Sequence, residues 1–379
     1  MRFLAAALLL AATLPTWGQP APPPPPAIPI VAAEPDVHAD RTVTFDYQMP
    51  SAARVGLQLE GLKDPIPMQK NASGAWTVTT SALTPEWYSY HFLVDGQIAL
   101  DPRNPEVLSS YLAAGNGFLV PAAELWQMTA VPHGVVHHHT YTTEVVRGLA
   151  DRQSDFYVYT PPGYDPGAST KYPVLYLLHG WSDTAGGWTN IGHANLILDN
   201  LIAAGKARPM IVVMPLGYGD MSFVRSGFGV WQKPELVDHN TDLFEQALAT
   251  EVIPRVEKMY NVSTRREDRA IAGLSMGGLE SLTIGLHRPG QFAYVGGFSA
   301  AVHLLGPSFT QSLDPESANL KLLYIGCGTA DGLYQPNLRL EAALKARGFH
   351  VTTTEMPGGL HDWLVWRPEL IDFASAIFH

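Results

Sequence analysis

Apolar and polar positions fall into two regimes along the chain. From Arg41 to about Leu119, short runs alternate, as in Thr42-Val43-Thr44-Phe45, Val55-Gly56-Leu57-Gln58-Leu59, Trp76-Thr77-Val78 and Tyr88-Ser89-Tyr90-His91-Phe92-Leu93-Val94. Successive side chains on a strand face opposite ways, so this alternation predicts strands with one buried face. Turns at Asn71-Ala72-Ser73-Gly74 and Asp95-Gly96 separate some of the runs. With no helical period between them, they predict a small antiparallel β-sandwich. Its alternate aromatics, Trp76, Trp87, Tyr88 and Tyr90, are expected to fill its core; stacking on sugar rings is the second use open to them.

From about Val135 the pattern changes. Near-continuous apolar runs at Val174–Leu178, Met210–Met214, Ala270–Ala272, Tyr294–Phe298 and Leu320–Ile325 follow the run Phe156–Tyr159, and amphipathic stretches at Asn195–Ala204, Leu243–Met259, Gly277–His287 and Asn337–Arg347 lie between them. Strands apolar on both faces, alternating with helices, predict a mostly parallel sheet covered on both sides. Such sheets place their chemistry at the carboxyl ends of the strands.

The N-terminal stretch changes the picture of where the protein works. Met1-Arg2, an apolar run from Phe3 to Leu14 and the small residues Thr16 and Gly18 read as a secretory signal over 1–19, its apolar run falling short of the ~20 residues that span a bilayer. Residues 20–36 read as a proline-rich linker, 37–125 as the β-sandwich and 126–379 as the α/β domain, in a protein exported to the periplasm or the medium. The lone Cys327 excludes an internal disulfide and a cysteine-built metal site. A formal net charge of −11 with no basic patch argues against nucleic acid and anionic membranes. His137-His138-His139 is not expected to hold a metal, because neighbouring strand residues point apart. Asn261-Val262-Ser263 matches a glycosylation acceptor, a three-residue pattern common by chance.

The candidate chemistry centres on Gly273-Leu274-Ser275-Met276-Gly277-Gly278, directly after a predicted strand and before a predicted helix. A nucleophilic serine on such a sharp turn needs glycines two residues before and after it, where side chains would collide. The Met276 amide, at the helix start, can face a developing oxyanion. In this arrangement the acid and then the histidine follow the serine in the chain. Asp331 sits in the loop after the Leu320–Ile325 strand, and His361 in Pro357-Gly358-Gly359-Leu360-His361 after the next strand. Asp314 and Asp372 lack such placement, and Asp362 is too near His361 to orient it. His303 is the one rival base and is read as pocket wall. A second oxyanion amide is expected after Leu177-Leu178-His179-Gly180, at Trp181. Trp181 and Trp188 either wall an acyl pocket or pack beneath the loop; Trp231, at the end of Gly227–Trp231, and Trp363 are further pocket candidates.

These motifs, with Tyr157-Val158-Tyr159-Thr160-Pro161-Pro162-Gly163-Tyr164, Pro209-Met210-Ile211-Val212-Val213-Met214-Pro215, Gly326-Cys327-Gly328-Thr329-Ala330-Asp331 and His361-Asp362-Trp363, resemble the esterase D-like α/β-hydrolases. The similarity is greatest to carbohydrate esterase family 1, which holds feruloyl and acetylxylan esterases. Tyr88–Gly96 resembles the immunoglobulin-like early-set modules related to glycogen-binding domains. The resemblance implies an α/β hydrolase preceded by an immunoglobulin-like sandwich, a Ser275-Asp331-His361 triad, Trp181 and Met276 as oxyanion donors, no cofactor or metal, and an ester-bearing polysaccharide as substrate. Enterochelin esterases share the two-module plan and are the second reading; acyl transfer and a non-catalytic glycan-binding protein are the others.

Overall fold

The computed structural model describes residues 32–112 and 114–379; the expected signal segment and most of the proline-rich linker lie outside the described residues. The second half of the chain builds an eight-stranded sheet. Its strands are β1 (Val135–Thr142), β2 (Gln153–Thr160), β3 (Val174–Leu178), β4 (Ile211–Pro215), β5 (Arg269–Leu274), β6 (Tyr294–Phe298), β7 (Leu322–Gly328) and β8 (Thr352–Met356). They lie in the order β1-β2-β4-β3-β5-β6-β7-β8. Strands β1 and β2 run antiparallel to their neighbours, and the rest are parallel. The sheet is therefore mixed, as an α/β-hydrolase-like fold with an antiparallel edge.

The apolar runs explain the layering. Alternate residues of one strand enter different cores: Val174, Tyr176 and Leu178 face one side with Phe244, Leu279 and Leu344, while Leu175 and Leu177 face the other with Leu198, Leu370 and Phe373. The first core lies under helices Met276–His287 and Tyr334–Ala346 and under a long run in which Pro234–Ala247, Leu248–Val252 and Ile253–Met259 follow without a break. That run begins nine residues before the expected Leu243 start, at Pro234, which its fixed φ suits to the first helical turn. The second core lies under Ala194–Ala203 and Trp363–Ala376. Sequence reading gave no helix at the C-terminus, because Pro368 interrupts its pattern; it is accommodated inside the helix.

The first half forms two antiparallel sheets around one core. One orders Asp36–Val37, Val43–Gln48, Ala75–Thr79 and Gln69–Lys70; the other orders Ile66–Pro67, Val55–Leu59, Glu86–Val94, Gly115–Val120 and Val107–Leu108. Phe45, Leu57, Tyr90, Phe92 and Phe118 fill the space between them. Trp76, Tyr88 and Tyr90 are buried in this core, and Trp87 packs edge-on against His193 of the α/β half. Three of the four rings are thus core packing residues, and the half-buried Trp87 packs at the boundary between the two halves.

On edge strand β1, His137 and His139 stack on one face while His138 turns to the other and bonds Asp155 at 2.8 Å. Asn261 is buried, its side-chain amide donating to the Ala168 carbonyl at 2.8 Å. Its internal use leaves no free acceptor for a glycan. Among the described residues no helix is long and apolar enough to cross a membrane.

Candidate active site

Ser275 occupies the turn between β5 and the helix Met276–His287, with φ 52° and ψ −111°. A non-glycine residue seldom adopts a positive φ, and the cost is of order 1–3 kcal/mol. The surroundings hold it there: the Ser275 amide donates to the Phe298 carbonyl at 2.8 Å, and its own carbonyl accepts from Leu279 at 3.0 Å and Ala301 at 2.9 Å. The flanking glycines are steric requirements. A Cβ on Gly273 would lie 2.6 Å from the Gly277 carbonyl, and one on Gly277 would lie 2.6 Å from the carbonyls of Leu178 and His179. The turn thus presses against the end of β3, which carries the His179-Gly180-Trp181 loop.

Two further loops, after β7 and β8, deliver the partners. His361 Nε2 lies 3.0 Å from Ser275 Oγ, and His361 Nδ1 lies 2.7 Å from Asp331 Oδ2. The loops are bonded to each other: Thr329 donates its amide to Met356 at 2.9 Å, Ala330 to Gly359 at 3.0 Å, and the Gly358 amide donates to Thr329 Oγ1 at 2.8 Å. Burial alone would raise the Asp331 carboxyl, but the bonds from His361 and from the Leu333 amide at 2.7 Å hold it below the usual carboxylate range. Asp331 is therefore an anion beside the imidazole. Asp362 does not hold that place, because His361 Nδ1 is bonded to Asp331; burial, reinforced by the Glu60 carboxylate, pushes the Asp362 carboxyl up to about 6.

Met276 is the first residue of its helix and buried, so its backbone lies at the positive end of the helix dipole beside Ser275. Trp181 follows the buried His179, whose Nδ1 donates to the Gly180 carbonyl at 2.8 Å and whose Nε2 accepts from the Gly217 amide at 2.8 Å. Burial pulls the His179 imidazole down to about 4, which keeps it neutral and in that tautomer. The loop is thereby fixed on both sides of its turn.

These elements meet in a cleft of about 900 Å³ lined by Ser275, Asp331 and His361. An aromatic wall stands in it. The Trp181 ring lies 5.5 Å from Phe228 and 6.3 Å from Trp231, and Trp231 lies 5.9 Å from His303. The Trp181 indole N–H donates to the Phe223 carbonyl at 3.2 Å, which anchors the wall. Trp231, His303 and Trp363 line the cleft, Trp363 mostly buried at its edge.

Trp188 is a correction. Its ring is 0% exposed, its indole donates to the Leu178 carbonyl at 2.9 Å, and it packs on Phe298 and Trp363. Sequence reading also missed Glu60, Ser89 and His91, which reach the same cleft from the β module. Alternation along those strands gives which face is buried, and carries no sign of what lies across the module boundary.

Comparison with known proteins agrees with this layout. The esterase family model, described as "Putative esterase", matches residues 149–377. An endo-1,4-beta-xylanase/feruloyl esterase of Xylanibacter ruminicola is 32% identical over 352 residues, covering 91% of this chain and 46% of that protein. The chain thus spans about half the length of that relative. A CE1 ferulic acid esterase of the anaerobic fungus Anaeromyces mucronatus superposes with a TM-score of 0.58 at 26% identity, over 68% of this chain and 96% of that one. The enterochelin esterase of Shigella flexneri superposes with a TM-score of 0.66 at 20% identity over 90% of this chain and 94% of its own, a likeness of fold that includes the N-terminal β-rich region. With its model matching well over half of the residues, the chain belongs to the esterase family.

Proposed function

We propose that this protein is a serine carboxylic-ester hydrolase that removes feruloyl groups from plant cell-wall polysaccharide, with Ser275, His361 and Asp331 as its catalytic triad. The observation that carries the reading is the unbroken line from Ser275 Oγ through both imidazole nitrogens to Asp331, at 3.0 and 2.7 Å. Neutral His361 takes the serine proton as Oγ attacks the ester carbonyl, forming the C–O bond of a tetrahedral intermediate. The amides of Trp181 and Met276 receive the oxyanion. Collapse breaks the bond to the sugar oxygen, which leaves with the proton from His361. Water then repeats the sequence on the acyl-enzyme and releases the acid, while Asp331 holds the tautomer and balances the imidazolium.

The acyl preference rests on the wall of Trp181, Phe228 and Trp231, because an aromatic ring gains most from offset or edge contacts with other rings. The similarity to proteins named as feruloyl and ferulic acid esterases supports the same choice. An acetyl group would leave that wall unused. The reading includes an immunoglobulin-like module over 37–125 ahead of a hydrolase domain over 126–379, and export directed by 1–19, which fits an insoluble or polymeric substrate outside the cell.

Purified protein is to be compared on methyl ferulate, acetylated xylan and enterobactin. The expected outcome is a kcat/KM for methyl ferulate above that for the other two by ~10-fold or more, the scale on which a filled apolar pocket discriminates. A preference for acetylated xylan would overturn the acyl assignment, and a preference for enterobactin would favour the siderophore reading.

A further inference from the structure

Part of the cleft wall belongs to the β module, where Gln58, Glu60, Ser89 and His91 line it together with Ser275 and His361. Among these, Glu60 reaches beyond its own module. It follows the strand Val55–Leu59, and its carboxylate oxygens have separate tasks. Oε2 accepts the backbone N–H and the hydroxyl of Ser89, at 2.8 and 2.9 Å, within the module. Oε1 accepts the backbone N–H of Trp363 at 2.9 Å, across a sequence separation of 303.

Trp363 opens the last helix, and the side chain of its N-cap residue Asp362 makes no capping bond. The first amides of a helix have no intrahelical acceptor and favour a negative charge. Here that charge comes from another module. One turn further, the wholly buried Arg367 pairs with Glu86 of the β module at 3.0 Å and donates to the Ile191 carbonyl at 2.7 Å. Leu364, between these two ties, packs against the β-module core. The start of the helix is thus held at three successive points, and His361 lies two residues before it.

The other side of the site is held in the same way. Ser182, directly after Trp181, has φ 77°, a strained value that needs support. Its carbonyl accepts the Tyr111 amide at 2.7 Å and the Ser110 hydroxyl at 3.1 Å, both from the β module.

We propose that Glu60 is a positioning residue for ester hydrolysis: by capping the last helix from the β module it sets the His361 imidazole against Ser275, while the Ser110–Tyr111 turn sets the Trp181 loop. The proposal rests on the triad reading above. It makes the β module a structural half of the active site, because displacing a reacting group by an ångström costs about a hundredfold in rate.

The test uses the full chain with Glu60→Gln, Glu60→Ala and Ser275→Ala, the serine being counted by its burst with a p-nitrophenyl ester or by fluorophosphonate labelling. Glu60→Gln keeps the shape but loses the charge and faces one of the three donors with its own amide hydrogens, so it carries the test even where Glu60→Ala does not fold. Expected is a fall in kcat per reactive serine of about 3- to 10-fold for Glu60→Gln and more than ~10-fold for Glu60→Ala, with KM for the small ester within about threefold of wild type. A merely structural role lowers Tm and the count of reactive serines and leaves kcat per serine intact; that result overturns the proposal. With Ser275→Ala inactive, unchanged Glu60 variants sink the positioning role alone, whereas a fully active Ser275→Ala sinks the triad and the positioning role together.

Discussion

At the residue scale, the proposed site rests on three side chains, Ser275, His361 and Asp331, joined in a row by two hydrogen bonds. Asp331, held below the ordinary carboxylate range by His361 and the Leu333 amide, stays ionised through mildly acidic pH. Asp331→Asn leaves the shape in place and presents the wrong group to Nδ1, so kcat should fall by ~10⁴ in a steady-state assay. The Ser275 turn was legible in the sequence because its cause is local: glycines at 273 and 277 are demanded by backbone a few residues away. The fate of Trp188 was not legible. An indole beside an active loop has the same sequence context whether it faces the cleft or, as here, turns beneath it to bond the Leu178 carbonyl.

At the element scale, the loops after β3, β5, β7 and β8 converge because parallel strands put all their carboxyl ends at one edge. Strand periods showed this edge early, while the antiparallel direction of β1 and the proline-bearing last helix did not stand out from pattern alone. The loop carrying Phe228 adds the aromatic wall. Phe228 is 75% exposed, so its removal should cost little stability and act on binding. Phe228→Ala is expected to raise KM for methyl ferulate by about 3- to 10-fold, worth the ~0.5–1.5 kcal/mol of an aromatic pair, and to leave p-nitrophenyl acetate within about twofold. Parallel kinetics on the two esters check this; equal losses on both would remove Phe228 from acyl recognition.

At the scale of the whole molecule, the imidazoles of the buried His179 and the half-buried His193 tie stability to pH. Burial lowers His179 to about 4 and His193 to about 3, with the Arg367 charge adding to the effect on His193. In the unfolded chain both take a proton near pH 6.5, whereas the folded state excludes it until much lower pH. Between these limits the unfolded state binds more protons, so stability rises with pH and is lost as pH falls from about 6.5 toward 4. For His179 alone the window corresponds to roughly 3 kcal/mol. Urea unfolding at pH 7 and pH 5 should show the midpoint falling; a constant midpoint would mean these rings are hydrated. The module boundary was the least legible feature of all. Glu60 to Trp363 and Glu86 to Arg367 join residues 303 and 281 positions apart, and no period or spacing within either half records such a partner.

The central claim is that one hydroxyl, on the strained turn after β5, is the group that takes the acyl chain. The most direct measurement is intact-mass and peptide mass spectrometry after rapid quenching with methyl ferulate, or after fluorophosphonate treatment, in wild type and in His361→Ala. A single feruloyl or phosphonyl adduct on Ser275, formed by wild type and slowed by several powers of ten in His361→Ala, is the predicted result. Turnover of ester with no adduct on Ser275, or labelling equally fast without His361, would contradict the account.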